Sequence, residues 1–157
     1  MTTTDALAPV RHSVTVPLDA EKAFELYVDR FDSWWPHEHH IGDAEPDRVV
    51  IEGKAGGRIY EVGVDGSECD WGYVKSYDPP IGFVAAWQLD AQWEFDADRS
   101  KASEYEVTFE PQADGGTLVT LEHRNFENHG VGGASIAAAV ATGNGWPGLL
   151  QMYAETA

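Results

Sequence analysis

Residues 58–89 read RIYEVGVDGSECDWGYVKSYDPPIGFVAAWQL. Three strands are written into this stretch. Arg58 to Val64 alternates, with Tyr60, Val62 and Val64 on one face. Asp65-Gly66 supplies the pair a tight hairpin needs, because both central positions of such a turn favour positive φ. Cys69 to Tyr77 is the second run, ended by Asp78-Pro79-Pro80. Phe83, Ala85, Trp87 and Leu89 alternate in the third. Links this short join antiparallel neighbours, so the stretch is a meander and not a series of βαβ units.

The same rhythm continues on both sides. Upstream, Val49 to Glu52 is a strand, and Gly56-Gly57 turns it into Arg58. Downstream, Ala91 to Ala102 is polar and shows no clear period. Tyr105, Val107 and Phe109 then alternate, and Gly115-Gly116 turns into Thr117 to His123, where Val119, Leu121 and His123 share a face. Near the start, Val10, His12, Val14 and Val16 point one way along a strand that Pro17 stops. Helical spacing occurs on either side of the meander. Ala23, Phe24, Tyr27, Val28 and Phe31 place an amphipathic helix over Ala20 to Arg30, capped by Asp19. Trp34-Trp35-Pro36 ends the helical region, which is expected to hold two short helices. His37 to Asp47 and Asn125 to Gly133 lack apolar periodicity and are loops. Gly133 to Ala154 is a long helix, with Ile136, Val140, Trp146, Leu149, Leu150 and Tyr153 as a stripe for the sheet. Gly143, Gly145 and Pro147 weaken it and predict a kink or break. Residues 1–9 are a polar tail.

The expected architecture is therefore α+β: one domain over residues 10–157, with a curved seven-stranded antiparallel sheet wrapped around a long C-terminal helix. A sheet with an apolar inner face must be covered. One helix cannot fill a strongly curved sheet along its whole length, so a space between the two is expected.

Composition narrows the function. The 157 residues carry 27 acidic and 10 basic side chains, a formal charge of −17, which repels nucleic acid and anionic membranes. No apolar run approaches the ~18 residues of a membrane span. The N-terminus has neither the basic start nor the apolar core of a signal peptide. A single cysteine, Cys69, allows no internal disulfide, and a reducing, cytoplasmic setting is the simplest expectation. Its acidic neighbours Glu68 and Asp70 should raise its pKa and disfavour a reactive thiolate. There is no GxSxG, no phosphate-binding glycine loop, and nothing that calls for a cofactor.

The ordered set VRHSVTV (Val10 to Val16), AFELY (Ala23 to Tyr27), WWP (Trp34 to Pro36), HHIG (His39 to Gly42), AGGRIYE (Ala55 to Glu61), DWGYVKSYDPP (Asp70 to Pro80), AAW (Ala85 to Trp87), GGTLVTLEHR (Gly115 to Arg124) and GWPGLL (Gly145 to Leu150) resembles the START/Bet v 1-like superfamily. The branch it most resembles is the one related to the C-terminal domain of the activator of Hsp90 ATPase. The N-terminal strand and the WWP segment are also similar to self-resistance proteins of enediyne-producing bacteria. The resemblance implies a helix-grip fold with a ligand cavity under the C-terminal helix. It does not imply one activity, since the superfamily holds ligand carriers, polyketide cyclases and aromatases, resistance proteins and co-chaperone domains.

Several residues bear on the choice. His37-Glu38-His39-His40 has metal-ligating types, but the spacing is not HExxH and adjacent residues rarely aim at one ion; a loop that anchors itself or lids the cavity is preferred, and no metal is assigned. His12 and His123 both point inward on strands that neighbour one another in this fold, either as satisfied core histidines, the preferred reading, or as an acid/base pair. Arg58, beside Tyr60, pairs with a carboxylate such as Glu52 or Glu61, or anchors a ligand's acidic or carbonyl group. Six tryptophans are many for so small a domain; some of them pack the core, Trp34 or Trp35 locking the helix onto the sheet. Trp71, Trp87, Tyr105 and Trp146 can wall a pocket for flat or polycyclic ligands, with Trp35 and Leu150 as further candidates.

Three readings follow. The favoured one is binding of a small hydrophobic or aromatic molecule, as in natural-product resistance or transport. The second is a cyclase- or aromatase-like enzyme using His12, His123, Arg58 or a pocket tyrosine; no catalytic residue is assigned. The third is a protein-interaction module of the Hsp90 co-chaperone kind, which would be expected to carry a second domain. A monomer or weak homodimer is expected.

Overall fold

A computed structural model describes residues 7–157. Six residues of the expected tail therefore lie outside the described residues. The chain runs β1 (Val10–Val16), α1 (Ala20–Val28), α2 (Phe31–Trp34), β2 (Pro46–Ile51), β3 (Arg58–Gly63), β4 (Glu68–Asp78), β5 (Gly82–Trp87), β6 (Ser103–Pro111), β7 (Thr117–Arg124), α3 (Gly133–Val140) and α4 (Trp146–Thr156), with 3-10 turns at Arg99–Lys101 and Phe126–Gly132. The seven strands form one antiparallel sheet in the order β1-β7-β6-β5-β4-β3-β2. This is the antiparallel α+β meander that the alternation implied and the helix-grip arrangement that the resemblance implied.

The register puts one apolar face inward. Val14, Val119, Phe109 and Leu121 lie on the inner face beside Val107, Phe83 and Ala85, and α1 and α4 cover them. The Asp19 side chain accepts from the Lys22 amide and starts α1, which buries Ala23, Phe24, Leu26, Tyr27 and Val28. Tyr27 is the hub of this layer, with its ring 4.8 Å from Trp34 and 5.3 Å from Tyr153. The Tyr153 hydroxyl donates to the Ala23 carbonyl at 2.7 Å, tying α4 to α1. The Trp34 indole N–H donates to the Leu26 carbonyl at 3.1 Å, tying α2 to α1.

β3 departs from the expected face. Val64 is 64% exposed and Tyr60 points outward, while Ile59 and Glu61 face in opposite Ile51 and Val49. The pattern misled because the inner face of this strand carries a carboxylate, and the outer face carries the aromatic ring. A register shift in β4 accompanies it: Tyr60 pairs with Asp70 and Ile59 with Gly72, leaving Trp71 as the extra residue of a bulge.

The C-terminal helix also differs from a single long element. α3 ends at Val140 and α4 begins at Trp146, and Ala141–Gly145 joins them. Pro147 does not kink a helix; it occupies the first turn of a new one, where its missing N–H has no intrahelical partner to lose. Gly145 makes the sharp return, packed so closely on the Val140 carbonyl that a side chain there would collide with backbone. Gly145→Ala should therefore destabilise the fold by about 2 kcal/mol or more. Pro147→Ala, which would favour a continuous helix, should change stability by less than about 1 kcal/mol. Urea denaturation of the two variants checks both; a stabilised Pro147→Ala would mean that the proline strains the junction.

Candidate ligand cavity

The gap between α3 and α4 opens onto a cavity of about 540 Å³, within the range of small-molecule sites. Five of the six tryptophans line it: Trp35, Trp71, Trp87, Trp93 and Trp146. The sheet supplies Trp71 from the β4 bulge and Trp87 from the end of β5. The helices supply Val140, Trp146 and Leu149, and the His37–Asp47 loop supplies Glu38, His39, His40 and Ile41. A small inner void of about 10 Å³ lies against the same Trp35, Trp71, Trp87 and Trp146 and reaches Tyr27 and Tyr105.

The loop is held down by Glu61. Its side chain is buried, and its two carboxyl oxygens accept from the Trp71 indole N–H at 2.9 Å, the Ile41 amide at 2.6 Å and the Gly42 amide at 3.2 Å. Gly42 fits because a Cβ there would crowd Glu61 and the Cys69 sulfur. Cys69 faces the same carboxylate. Burial, then the charges of Glu61, Asp43 and Asp70, push its thiol pKa up, so its inertness has a larger cause than the sequence neighbours. The three histidines of the loop take separate partners. His37 meets Asp32 at 2.7 Å, His40 bonds the Gly42 carbonyl at 2.9 Å, and His39 donates through Nε2 to the Asn144 carbonyl at 2.9 Å. His39 thus spans the mouth, from the loop to the α3–α4 joint. Its Nδ1 is buried and unpartnered, as is the Trp87 indole nitrogen.

A directed chain stands behind Trp146. The Trp146 indole donates to His123 Nδ1 at 3.0 Å, so the His123 proton sits on Nε2 and is donated to Ser103 Oγ at 2.7 Å. Ser103 in turn donates to His129 Nε2 at 2.7 Å. A second proton on His123 would oppose the indole N–H. Burial above all, then the nearby His129, pushes its pKa down to about 3. His123 therefore holds Trp146 in the wall as a neutral acceptor.

The expected ligand residues divide into three groups. Trp35, Trp71, Trp87 and Trp146 line the cavity. Tyr105 lines the inner void, and His123 lies one layer behind. His12, Arg58, Tyr60 and Leu150 are elsewhere. His12 is half-buried on edge strand β1 opposite Leu121, with β7 and β6 between it and the β5 wall, and both nitrogens of His123 are already engaged. Arg58 lies on the outer face, bonded to Asp70 at 3.2 Å through Nε and to Glu68 at 3.0 Å, and stacked over Tyr60. Neither expected carboxylate takes its guanidinium: Glu61 points to the opposite face, and Glu52 accepts the Arg58 backbone amide. Leu150 is fully buried in the core, and its neighbour Leu149 faces the cavity, because α4 starts afresh at Trp146 and sets its own rotation.

Trp93 was not foreseen. It sits in the polar segment after β5, at the tip of a turn built on Asp90. The Asp90 side chain accepts from the Gln92 and Glu94 amides, and its backbone pairs with Trp93 and Glu94. Trp93 has φ 61, a left-handed conformation that costs a bulky residue on the order of 1 kcal/mol. No local periodicity signals such a residue; its only signal was its place among the six tryptophans.

Titration of His123 gives the site a pH signature. Unfolded, the imidazole takes a proton near pH 6.5; folded, it resists down to about pH 3. This contribution to stability is whole above pH 6.5 and is lost as the pH falls toward 3. By pH 5 the loss amounts to at most about 2 kcal/mol. Denaturant midpoints at pH 7.5 and 5.0 should fall further for the wild type than for His123→Gln; equal losses would remove His123 as the source.

The model for the family described as activator of Hsp90 ATPase homolog 1-like protein matches residues 17–156. Among curated proteins none matches the chain. Among solved structures, an anthrahydroquino-gamma-pyrone synthase, Txn09, is 35% identical over 97% of this chain and 98% of that one, with a TM-score of 0.67. The self-sacrificing resistance protein CalC from Micromonospora echinospora is 32% identical over 94% of this chain and 92% of its own, with a TM-score of 0.69. Aha1 from Colwellia psychrerythraea, solved as a dimer, is 16% identical over 96% of both chains with a TM-score of 0.59, a likeness of fold alone. With the family model spanning nearly the whole chain and two relatives above 30% identity, this chain belongs to the family of activator of Hsp90 ATPase homolog 1-like proteins, within the START/Bet v 1-like superfamily.

Proposed function

We propose that this protein binds a flat, polycyclic aromatic small molecule in the tryptophan-lined cavity and sequesters or carries it. One observation supports this above the others: five of six tryptophans converge on one cavity of about 540 Å³, with Trp35, Trp71 and Trp146 packed in the core on one side and facing the cavity on the other. Indole faces and edges suit flat rings, which gain offset and edge-to-face contacts on every side. The charge of −17 disfavours an anionic ligand, so a neutral one is proposed. The two relatives above 30% identity, a self-sacrificing resistance protein and an anthrahydroquino-gamma-pyrone synthase, suit a natural-product role.

A second reading draws on His39. Its Nε2–H is fixed by the Asn144 carbonyl, which leaves Nδ1 as an unpartnered acceptor on a cavity residue, and one relative is a synthase by name. A base so oriented suits proton transfer on the same class of ligand. A co-chaperone role has less support. Among the described residues, the exposed large apolar side chains Val64, Ile81 and Met152 lie on separate elements, and Trp93 and Phe95 belong to the turn beside the cavity.

The probe 1,8-dihydroxyanthraquinone tests the binding reading. It should quench tryptophan fluorescence and raise the melting temperature, by the equivalent of about 2.7 kcal/mol at a hundredfold excess over Kd. Ala139→Trp, which places a ring in the cavity from a half-exposed position, should keep the fold and abolish both effects. Silence of the wild type across a set of neutral polycyclic probes would overturn the proposal. Consumption of an anthrahydroquinone by the wild type, lost in His39→Asn, would favour the enzymatic reading.

A further inference from the structure

We infer that Trp93 determines the specificity of the cavity, acting as a strained, fixed wall at its rim that lies against a flat ring system. This rests on the reading of the cavity as a binding site. Residues that adopt positive φ at low cost are glycine, asparagine and aspartate. The chain instead places its largest side chain there, at φ 61. The turn holds it in this conformation. Asp90 holds it from both ends, with its side chain on the Gln92 and Glu94 amides at 2.9 and 3.0 Å, its carbonyl on the Trp93 amide at 3.0 Å and its own amide on the Glu94 carbonyl at 2.9 Å. The Leu89–Phe95 bridge and the bond from the Asp96 amide to the Gln88 carbonyl close the base of the turn.

Packing of the core does not repay this strain. Trp93 is 44% exposed and belongs to no buried cluster. Its ring instead lines the cavity, 6.3 Å from Trp87 and steeply inclined to it at 74°. Two indoles in this relation form a corner. A flat ligand lying on the face of one presents its edge to the other, and a twisted ligand can satisfy only one of them. The turn emerges directly from β5, the strand that carries Trp87, so the two walls are held at a short and rigid separation. Strain kept at an exposed residue facing a cavity is the pattern of a ligand clamp.

The test compares Trp93→Gly and Trp93→Phe with the wild type, using equilibrium dialysis against flat 1,8-dihydroxyanthraquinone and twisted N-phenyl-1-naphthylamine, with melting temperatures in parallel. Trp93→Gly relieves the left-handed strain, so its melting temperature should equal or exceed that of the wild type. Its affinity for the anthraquinone should fall by about five- to tenfold, with less than about a twofold change for the twisted probe. Trp93→Phe, which keeps an aromatic wall, should stay within about threefold for both. A lower melting temperature for Trp93→Gly, an unchanged anthraquinone affinity, or equal losses for both probes would each overturn the assignment. A wild type that takes up neither probe would instead bring down the cavity reading and this inference with it. Binding unchanged by Trp93→Gly would overturn the role of Trp93 alone.

Discussion

The buried carboxyl group of Glu61 is the constraint on which the rest of the site depends. An acceptor-only group cannot be left unpaired in an apolar interior, where each missing bond costs about 1–3 kcal/mol. Glu61 finds three donors, and each shapes the cavity. The amides of Ile41 and Gly42 bring the loop down over the mouth. The Trp71 indole turns inward from the bulge in β4 and becomes part of the wall. A single polar residue on an inner face thus sets the lid, the wall and the distance between them.

The second determinant is the break between α3 and α4. A continuous helix would lie along the inner face and fill much of the space. Gly145 reverses the chain on the Val140 carbonyl, and Pro147 opens the next helix with its ring already in helical geometry. Trp146 then projects toward the sheet, where neutral His123 accepts its indole proton. His39 reaches the same joint from the opposite side through the Asn144 carbonyl. The joint therefore both creates the cavity and receives its lid.

Much of the architecture was legible. Alternation in residues 10–16 and 49–123 corresponds to seven strands in meander order, since the period of two survives wherever one face is buried. Trp35, Trp71, Trp87 and Trp146 were legible as wall candidates because the domain is rich in indoles and the resemblance implies a cavity under the C-terminal helix. The errors share a cause. Tyr60 and Val64 seemed to face inward because their alternation is regular, but a carboxylate occupies the true inner position beside them. Leu149 and Leu150 share the predicted stripe, and Leu150 was the ligand candidate; the start of α4 at Trp146 turns Leu149 to the cavity and Leu150 to the core. Arg58 has carboxylates near in sequence, and a cross-strand pair, Asp70, holds it instead.

By itself the sequence determined the antiparallel meander, the first helical region and a high aromatic content. These depend on local periodicity and composition, which require no knowledge of neighbours. Only the tertiary structure decided which face of β3 is buried, where the last helix divides, and that Trp93 turns to the cavity from a polar segment. Those choices follow from partners distant along the chain: amides of residues 41 and 42 on Glu61, the Val140 carbonyl beneath Gly145, and a turn built on Asp90. A one-dimensional pattern carries the period of an element. The bonds that choose its face and its limits are made only when the chain has closed on itself.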